Sequence, residues 1–110
     1  MTFKIRFVPE IEEDLLSGFS WYEEKVQGLG EEFLGIFYVS SNNLTQNPLI
    51  YKKVYGDFRR LLLRRFPYAI YFVIENDEVI VIGLFHCARS PRKIKKNLSK
   101  RSKDINSPDL

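Results

Sequence analysis

The chain has 110 residues, of which 45% are hydrophobic and 28% are charged, and this composition predicts one compact domain and excludes an intrinsically disordered chain. The lone Cys87 excludes an internal disulfide, and no apolar run approaches the ~20 residues of a membrane-spanning helix. Because no export signal precedes the first predicted strand, we expect a protein of the reducing cytoplasm with no membrane association.

Charge is distributed unevenly along the chain. Residues 1–47 hold three basic and eight acidic side chains, a net charge of −5, whereas residues 48–110 hold fourteen basic and six acidic ones, a net charge of +8. A concentrated positive field raises the affinity for polyanions and for acidic protein segments. The second half of the chain is therefore expected to face an acidic partner.

The first half of the chain predicts a strand followed by a helical hairpin. Residues 3–8 alternate apolar and basic side chains at the period of a half-buried strand. Pro9 and the acidic residues after it favour a helix start, and apolar spacings of three and four predict a helix to about Val26. A second helix is predicted over residues 31–44, after Gly28 and Gly30, and the short linker makes the two helices antiparallel.

The pattern then becomes strand-like as far as His86. Aromatic and β-branched residues predict three strands over residues 58–66, 68–75 and 78–86, and Asn76-Asp77 suits the tight turn between the last two. Residues 51–55 are compatible with an earlier start of the first of these strands, with Gly56-Asp57 as a bulge or a turn.

A basic segment ends the chain. Residues 92–103 contain seven lysines and arginines and no acidic residue. Like charges at this density repel one another, which favours a frayed helix or a flexible tail. We therefore predict a folded domain over residues 1–95 and a basic, flexible tail over residues 96–110.

Four arginines fall in the first of the three predicted strands. If Leu61 and Leu63 face the helices, alternation places Arg60, Leu62 and Arg64 on the opposite, open face of the sheet. Guanidinium groups bind phosphates and carboxylates, so this face could bind RNA, DNA or an acidic peptide. The alternative interpretation is that the arginines only solubilise an exposed sheet face.

The run RLLLRRFPYAIYF, from Arg60 to Phe72, resembles the strand pair of RelE/ParE superfamily toxins, especially members described as plasmid-stabilisation proteins. The resemblance covers about residues 3–95. Further landmarks resemble the family in order and spacing: Trp21-Tyr22, Leu29 to Phe33, Asn47-Pro48, His86, Arg89 and Pro91. It implies an α+β fold of βααβββ order, with the helical hairpin packed on one face of a small, twisted, mostly antiparallel sheet. The working surface would be the other face and the C-terminal edge.

The resemblance implies two different targets. The ribosome-dependent ribonuclease branch carries basic residues along the middle strands and a general acid or base near the C-terminus. Arg60 matches that pattern, whereas Leu62 and Ala69 stand where further basic residues are common. His86 and Arg89 are the candidate catalytic residues for RNA cleavage, although a lone histidine at a strand end is more often structural. The ParE-like branch inhibits DNA gyrase by binding and needs no catalytic set, so it fits this sequence better.

The sequence therefore predicts the toxin of a type II toxin–antitoxin pair that stops growth by inhibiting gyrase. The alternatives are an mRNA interferase acting on the ribosome, and a non-toxic module that binds nucleic acid or protein. The expected partner is a cognate antitoxin, and the alternative assemblies are a toxin homodimer and a toxin–antitoxin hetero-oligomer. One cysteine and one histidine predict no metal site, and no cofactor is expected. The predicted target-binding residues are Arg60, Arg64, Arg65, His86, Arg89 and Arg92.

Overall fold

The computed structural model of the chain describes residues 2–103 and residue 105. In chain order the elements are β1 (Lys4–Phe7), α1 (Ile11–Lys25), α2 (Leu29–Gln46), a short 3-10 helix (Pro48–Ile50), β2 (Lys53–Tyr55), β3 (Phe58–Leu62), β4 (Tyr68–Glu75), β5 (Glu78–His86) and α3 (Pro91–Ser102). The predicted βααβββ order is confirmed, with β2 as an additional short strand.

The strands form one mixed sheet in the order β1-β5-β4-β3-β2. The pair of β1 and β5 is parallel, and the other pairs are antiparallel. Asn76 in the β4–β5 turn has a φ of 56°, and Gly56 in the β2–β3 turn has a φ of 51°. Both lie in the left-handed region that tight hairpin turns require. Gly56-Asp57 is thus a turn between two strands and not a bulge within one.

The first of the three predicted strands is shorter than expected. β3 ends at Leu62, four residues before the predicted end at Phe66. Arg65 adopts a left-handed φ of 69°, and Pro67 cannot donate to a strand ladder because it lacks an N–H. Residues 63–67 therefore form the turn into β4.

The helical hairpin packs on one face of the sheet. Phe33 and Phe37 of α2 are fully buried, and Tyr22 of α1 packs against Phe33 and Phe66 with ring centroids 5.3 Å and 4.8 Å away. The helices can approach closely because Gly18 has no side chain. A Cβ at this position would lie 2.5 Å from the Phe33 ring. Glu23 closes the hairpin by accepting hydrogen bonds from the backbone N–H groups of Gly28 and Gly30, both at 2.9 Å.

Helix α3 packs on the opposite face of the sheet. Its Ile94 and Leu98 are buried, and a Cβ on Gly83 of β5 would lie 3.3 Å from the Leu98 side chain. The domain boundary predicted after Lys95 falls inside this helix, and residues 96–102 of the predicted tail are helical. Residue 104 and residues 106–110 of that tail lie outside the described residues. The face predicted to be open is thus partly covered by α3.

A buried ion pair joins α3 to α1 across an edge of the sheet. β1 pairs only with the first four residues of β5, which leaves the edge of β5 beyond Val81 without a neighbouring strand. Arg101 donates to Asp14 at 2.7 Å and 3.0 Å and to the Ile82 carbonyl at 3.1 Å. Asp14 in turn accepts from the Leu84 N–H at 3.0 Å. Arg101 and Asp14 thus provide hydrogen-bond partners for the Ile82 carbonyl and the Leu84 N–H, which a neighbouring strand would otherwise provide.

Candidate target-binding site

Two turns meet at one end of the sheet and carry most of the predicted site residues. The Cys87 N–H donates to the Pro67 carbonyl at 2.8 Å, which joins the β3–β4 turn to the segment that follows β5. We call residues 63–67 and 86–92 the basic end of the sheet. The basic end contains five of the six predicted binding residues: Arg64, Arg65, His86, Arg89 and Arg92.

The sixth residue, Arg60, lies on the α3 side of the sheet. Arg60 pairs across the strands with Tyr71, and Leu62 pairs with Ala69. Leu61 is buried, which confirms the alternation expected from the sequence, and Leu62 is 58% exposed. Burial raises the pKa of Tyr71, and the hydrogen bond and charge of Arg60 oppose that rise. Arg60 and Leu62 thus form a mixed cationic and apolar surface on one strand.

The two arginines of the β3–β4 turn differ in their surroundings. Arg64 is exposed and forms no ion pair with any part of the chain that the structure describes. Arg65 donates to Glu32 of α2 at 3.2 Å, and its guanidinium lies 5.9 Å from the Phe66 ring centroid. The Arg65 charge is therefore partly neutralised by the helical hairpin, and Arg64 is the freer cation for a target.

His86 ends β5 with a constrained imidazole. Its Nδ1 accepts a hydrogen bond from the Ala88 N–H at 2.9 Å, and its ring meets the Tyr68 ring edge-on at 5.2 Å. An accepting Nδ1 assigns the proton of the neutral ring to Nε2. In this tautomer Nε2 is a hydrogen-bond donor and has no lone pair with which to act as a general base.

Arg89 lies directly beside His86 in the turn before α3. Its N–H donates to the His86 carbonyl at 3.0 Å, and its guanidinium lies 4.8 Å from the Phe85 ring centroid. Burial raises the pKa of Tyr68, while the positive charge of Arg89 acts against that rise. Arg92 follows in the first turn of α3 and is exposed. Arg89 and Arg92 thus extend the positive surface from β5 onto α3.

The structure adds a column of aromatic and basic side chains that the sequence analysis missed. Tyr55 of β2 stacks on Tyr71 with ring centroids 6.3 Å apart and 16° between planes. The Lys95 ammonium lies 5.5 Å from the Tyr55 ring centroid, and Arg60 contacts the other end of the column at Tyr71. No local pattern could have indicated it, because its members come from β2, β3, β4 and α3.

The described residues contain no group of three or more His, Cys, Asp or Glu side chains that could hold a metal ion. Nor does that part of the chain include a helix with the length and apolar character needed to cross a membrane.

Solved structures of toxin–antitoxin systems resemble the chain. One, described as the chromosomal ParDE TA system from P. aeruginosa, aligns with a TM-score of 0.70 and 13% identity over 77% of this chain and 96% of the other. A second, the RelBE2 toxin–antitoxin complex from Mycobacterium tuberculosis, aligns with a TM-score of 0.59 and 18% identity over 81% of this chain and 95% of the other. No protein-family model and no curated protein matches the chain. The likeness is one of fold, and it confirms the fold that the sequence resemblance implied.

Proposed function

We propose that the chain is the toxin of a type II toxin–antitoxin pair and that it inhibits DNA gyrase by binding. The observation that carries the choice of a protein target is Leu62, which is 58% exposed on a strand that also presents Arg60. The cores of protein interfaces are apolar, enriched in arginine and depleted of other charged residues, so an exposed leucine beside an arginine favours a protein partner. A phosphate group would offer Leu62 no apolar partner.

The chemistry of the basic end also favours binding over catalysis. The His86 Nδ1 is occupied by the Ala88 N–H, so the neutral imidazole lacks a free lone pair for proton abstraction. Burial raises the pKa of both Tyr68 and Tyr71 above 10.0, which makes these phenols weaker acids near neutral pH. The arginines need no such tuning, because they bind a target as fixed charges.

A second candidate, an mRNA interferase acting on the ribosome, is favoured by one observation. His86 and Arg89 share one turn through the Arg89 N–H and the His86 carbonyl, and the Nε2–H tautomer of His86 could hydrogen-bond to a leaving oxygen while Arg89 binds the phosphate. A His86→Gln variant should then lose cleavage of transcripts on translating ribosomes. Intact transcripts after induction of the wild-type chain would remove this candidate.

The proposed toxin would act in the cytoplasm and would be neutralised by a cognate antitoxin. A partly disordered antitoxin segment that folds on the toxin surface could cover the positive charges of the basic end. A small reading frame beside the gene, together with co-purification of the two products, would support this partner.

The biochemical test is a gyrase supercoiling assay with the purified chain. We expect inhibition by the wild type, and a loss of about tenfold or more in Arg60→Ala/Arg64→Ala and in Leu62→Ser, because both change the proposed contact surface. The matched control is Lys4→Ala/Lys53→Ala, which removes the same charge from exposed positions on other strands. Unchanged supercoiling with folded wild-type protein would refute the gyrase proposal.

A further inference from the structure

Helix α3 presents a row of positive charges to solvent. Its Ile94 and Leu98 are buried, and its largely buried Arg101 is bound to Asp14. These three positions mark the inner side of the helix. At about 100° per residue, positions with spacings of four, four and three residues form a stripe on the opposite, outer side. The members of this stripe, which we call the α3 stripe, are all exposed: Arg92, Lys96, Lys100 and Lys103.

The charge of the α3 stripe is not neutralised within the described chain. None of its members forms an ion pair with a described residue, and residues 91–103 contain no aspartate or glutamate. Like charges four positions apart on a helix repel each other, and a cation in the first turn, such as Arg92, opposes the helix dipole. The stripe therefore lowers the stability of α3, so the stability of the fold does not account for it.

The α3 stripe is straight and is held in a fixed direction. From Arg92 to Lys103 the helix rises about 16 Å, so successive cations are about 5–6 Å apart along its axis. The buried contacts of Ile94, Leu98 and Arg101 hold the helix on the sheet. A nucleic-acid duplex carries one phosphate charge per ~1.7 Å of its axis. A fixed line of cations complements such a line of phosphates better than it complements a compact anion.

The side chains of α3 favour a duplex over other anionic partners. Three of the four members of the stripe are lysines, which bind phosphates as point charges and are depleted in protein interfaces. The helix has no aromatic residue on which unpaired bases could stack, and the neighbouring Tyr55 already contacts Lys95 and Tyr71. Within α3 no exposed apolar residue lies between the lysines, as insertion into an anionic membrane would require.

We infer that the α3 stripe binds the phosphate backbone of duplex DNA without sequence preference. The major groove of B-DNA is ~12 Å wide and admits a helix, whereas that of duplex RNA is deep and narrow. Lysine is a donor only, so it binds phosphate oxygens and cannot accept a hydrogen bond from the 2′-hydroxyl that distinguishes RNA. This inference goes beyond the proposed function, because it requires neither gyrase nor toxicity. A chain that binds DNA and leaves supercoiling unchanged would contradict the gyrase proposal alone.

The test is fluorescence anisotropy of a labelled duplex DNA of about 20 base pairs, titrated with the full chain at several salt concentrations. Four phosphate contacts predict a slope of about −3.6 in a plot of log affinity against log salt concentration. Lys96→Ala/Lys100→Ala/Lys103→Ala should lower the affinity about tenfold or more at low salt and reduce the slope to about −1. Alanine is the best helix former, so this variant keeps α3.

The matched control is Lys4→Ala/Lys25→Ala/Lys53→Ala, which removes the same net charge from exposed positions outside α3. It should lower the affinity less than about threefold and keep the wild-type slope. Arginine at the three lysine positions of the stripe should keep both the affinity and the slope, because a phosphate accepts hydrogen bonds from either cation.

Four results would overturn the inference. Equal losses in the two alanine variants would mean that net charge alone attracts the DNA. A strong preference between two duplexes of unrelated sequence would contradict a backbone contact. Tighter binding to single-stranded or duplex RNA of the same length would assign the stripe to RNA, and tighter binding to phosphatidylserine vesicles would assign it to a membrane surface.

Discussion

The ion pair between Asp14 and Arg101 should contribute strongly to stability. Asp14→Ala removes the carboxylate that binds the Arg101 guanidinium at 2.7 Å and 3.0 Å and the Leu84 N–H at 3.0 Å. The side chains of Arg101 and Asp14 are only 14% and 10% exposed. The variant therefore leaves a largely buried guanidinium without its counter-charge and a backbone N–H without its acceptor.

The expected cost is about 3 kcal/mol, at the lower end for breaking a buried ion pair because some solvent reaches both groups. The matched control is Asp77→Ala, which removes a carboxylate from a mostly exposed pair with Lys4 at 4.0 Å. An exposed pair of this kind contributes about 0–1 kcal/mol. The same type of substitution should thus have clearly different effects at the two positions.

Urea unfolding followed by circular dichroism measures this difference. With an m-value of about 1.5 kcal/mol/M, Asp14→Ala should lower the midpoint by ~2 M and Asp77→Ala by well under 1 M. Arg101→Ala should cost a similar amount to Asp14→Ala. The double variant should cost much less than the sum of the two, because each single change already breaks the pair. Equal midpoints for Asp14→Ala and Asp77→Ala, or fully additive single effects, would refute this reasoning.

Three further outcomes are expected. Gly18→Ala should destabilise the chain by about 1–3 kcal/mol in thermal unfolding, since its Cβ would lie 2.5 Å from the Phe33 ring. Gly35→Ala, whose Cβ would have no atom within 4 Å, should instead stabilise α2 by up to about 1 kcal/mol. Because burial raises the pKa values of Tyr22, Tyr68 and Tyr71, the folded state holds these protons more tightly. Their contribution to stability should be complete below the ordinary tyrosine pKa of about 10 and be lost as pH rises through the folded pKa values; a titration of phenolate absorbance in which no tyrosine ionises above that ordinary value would contradict this. Leu98→Ala should lower the free energy of unfolding by about 2–5 kcal/mol, and truncation after Lys95 should lower it still more, as measured by denaturant midpoints. An unchanged midpoint would mean that α3 does not contribute to the stability of the fold.

The order of elements could be predicted from the sequence because its signals are local. Alternation in residues 3–8 and spacings of three and four after Pro9 reflect the periods of strand and helix directly. Asn76-Asp77 predicted the β4–β5 turn, and Asn76 adopts the left-handed φ that this turn requires. The end of β3 was placed too late, because the apolar run continues through a turn set by the backbone at Arg65.

Long-range features could not be predicted from the sequence. The seven basic residues of residues 92–103 indicated repulsion, but Ile94 and Leu98, four positions apart, are both buried, and Leu98 packs over Gly83 of β5. This tertiary contact stabilises α3 although the repulsion between its positive charges disfavours a helix there. The Asp14 and Arg101 pair joins residues 87 positions apart, a distance that no local pattern reports.

The candidate site was predicted only in part. Arg60 and the basic residues near His86 followed from strand alternation and from the family resemblance. The position of Arg65 against Glu32 and the occupied Nδ1 of His86 depend on turn geometry, which side-chain spacing does not encode.

The most direct test of the proposed function is pulse-labelling of DNA and protein synthesis in bacteria after tightly controlled induction of the chain. Arg60→Ala/Arg64→Ala serves as the inactive variant, and Lys4→Ala/Lys53→Ala as the charge-matched control. A gyrase inhibitor should reduce DNA synthesis first, and only the arginine variant should relieve that effect. An earlier loss of protein synthesis would contradict the gyrase target, and normal growth with abundant folded wild-type chain would contradict the toxin assignment itself.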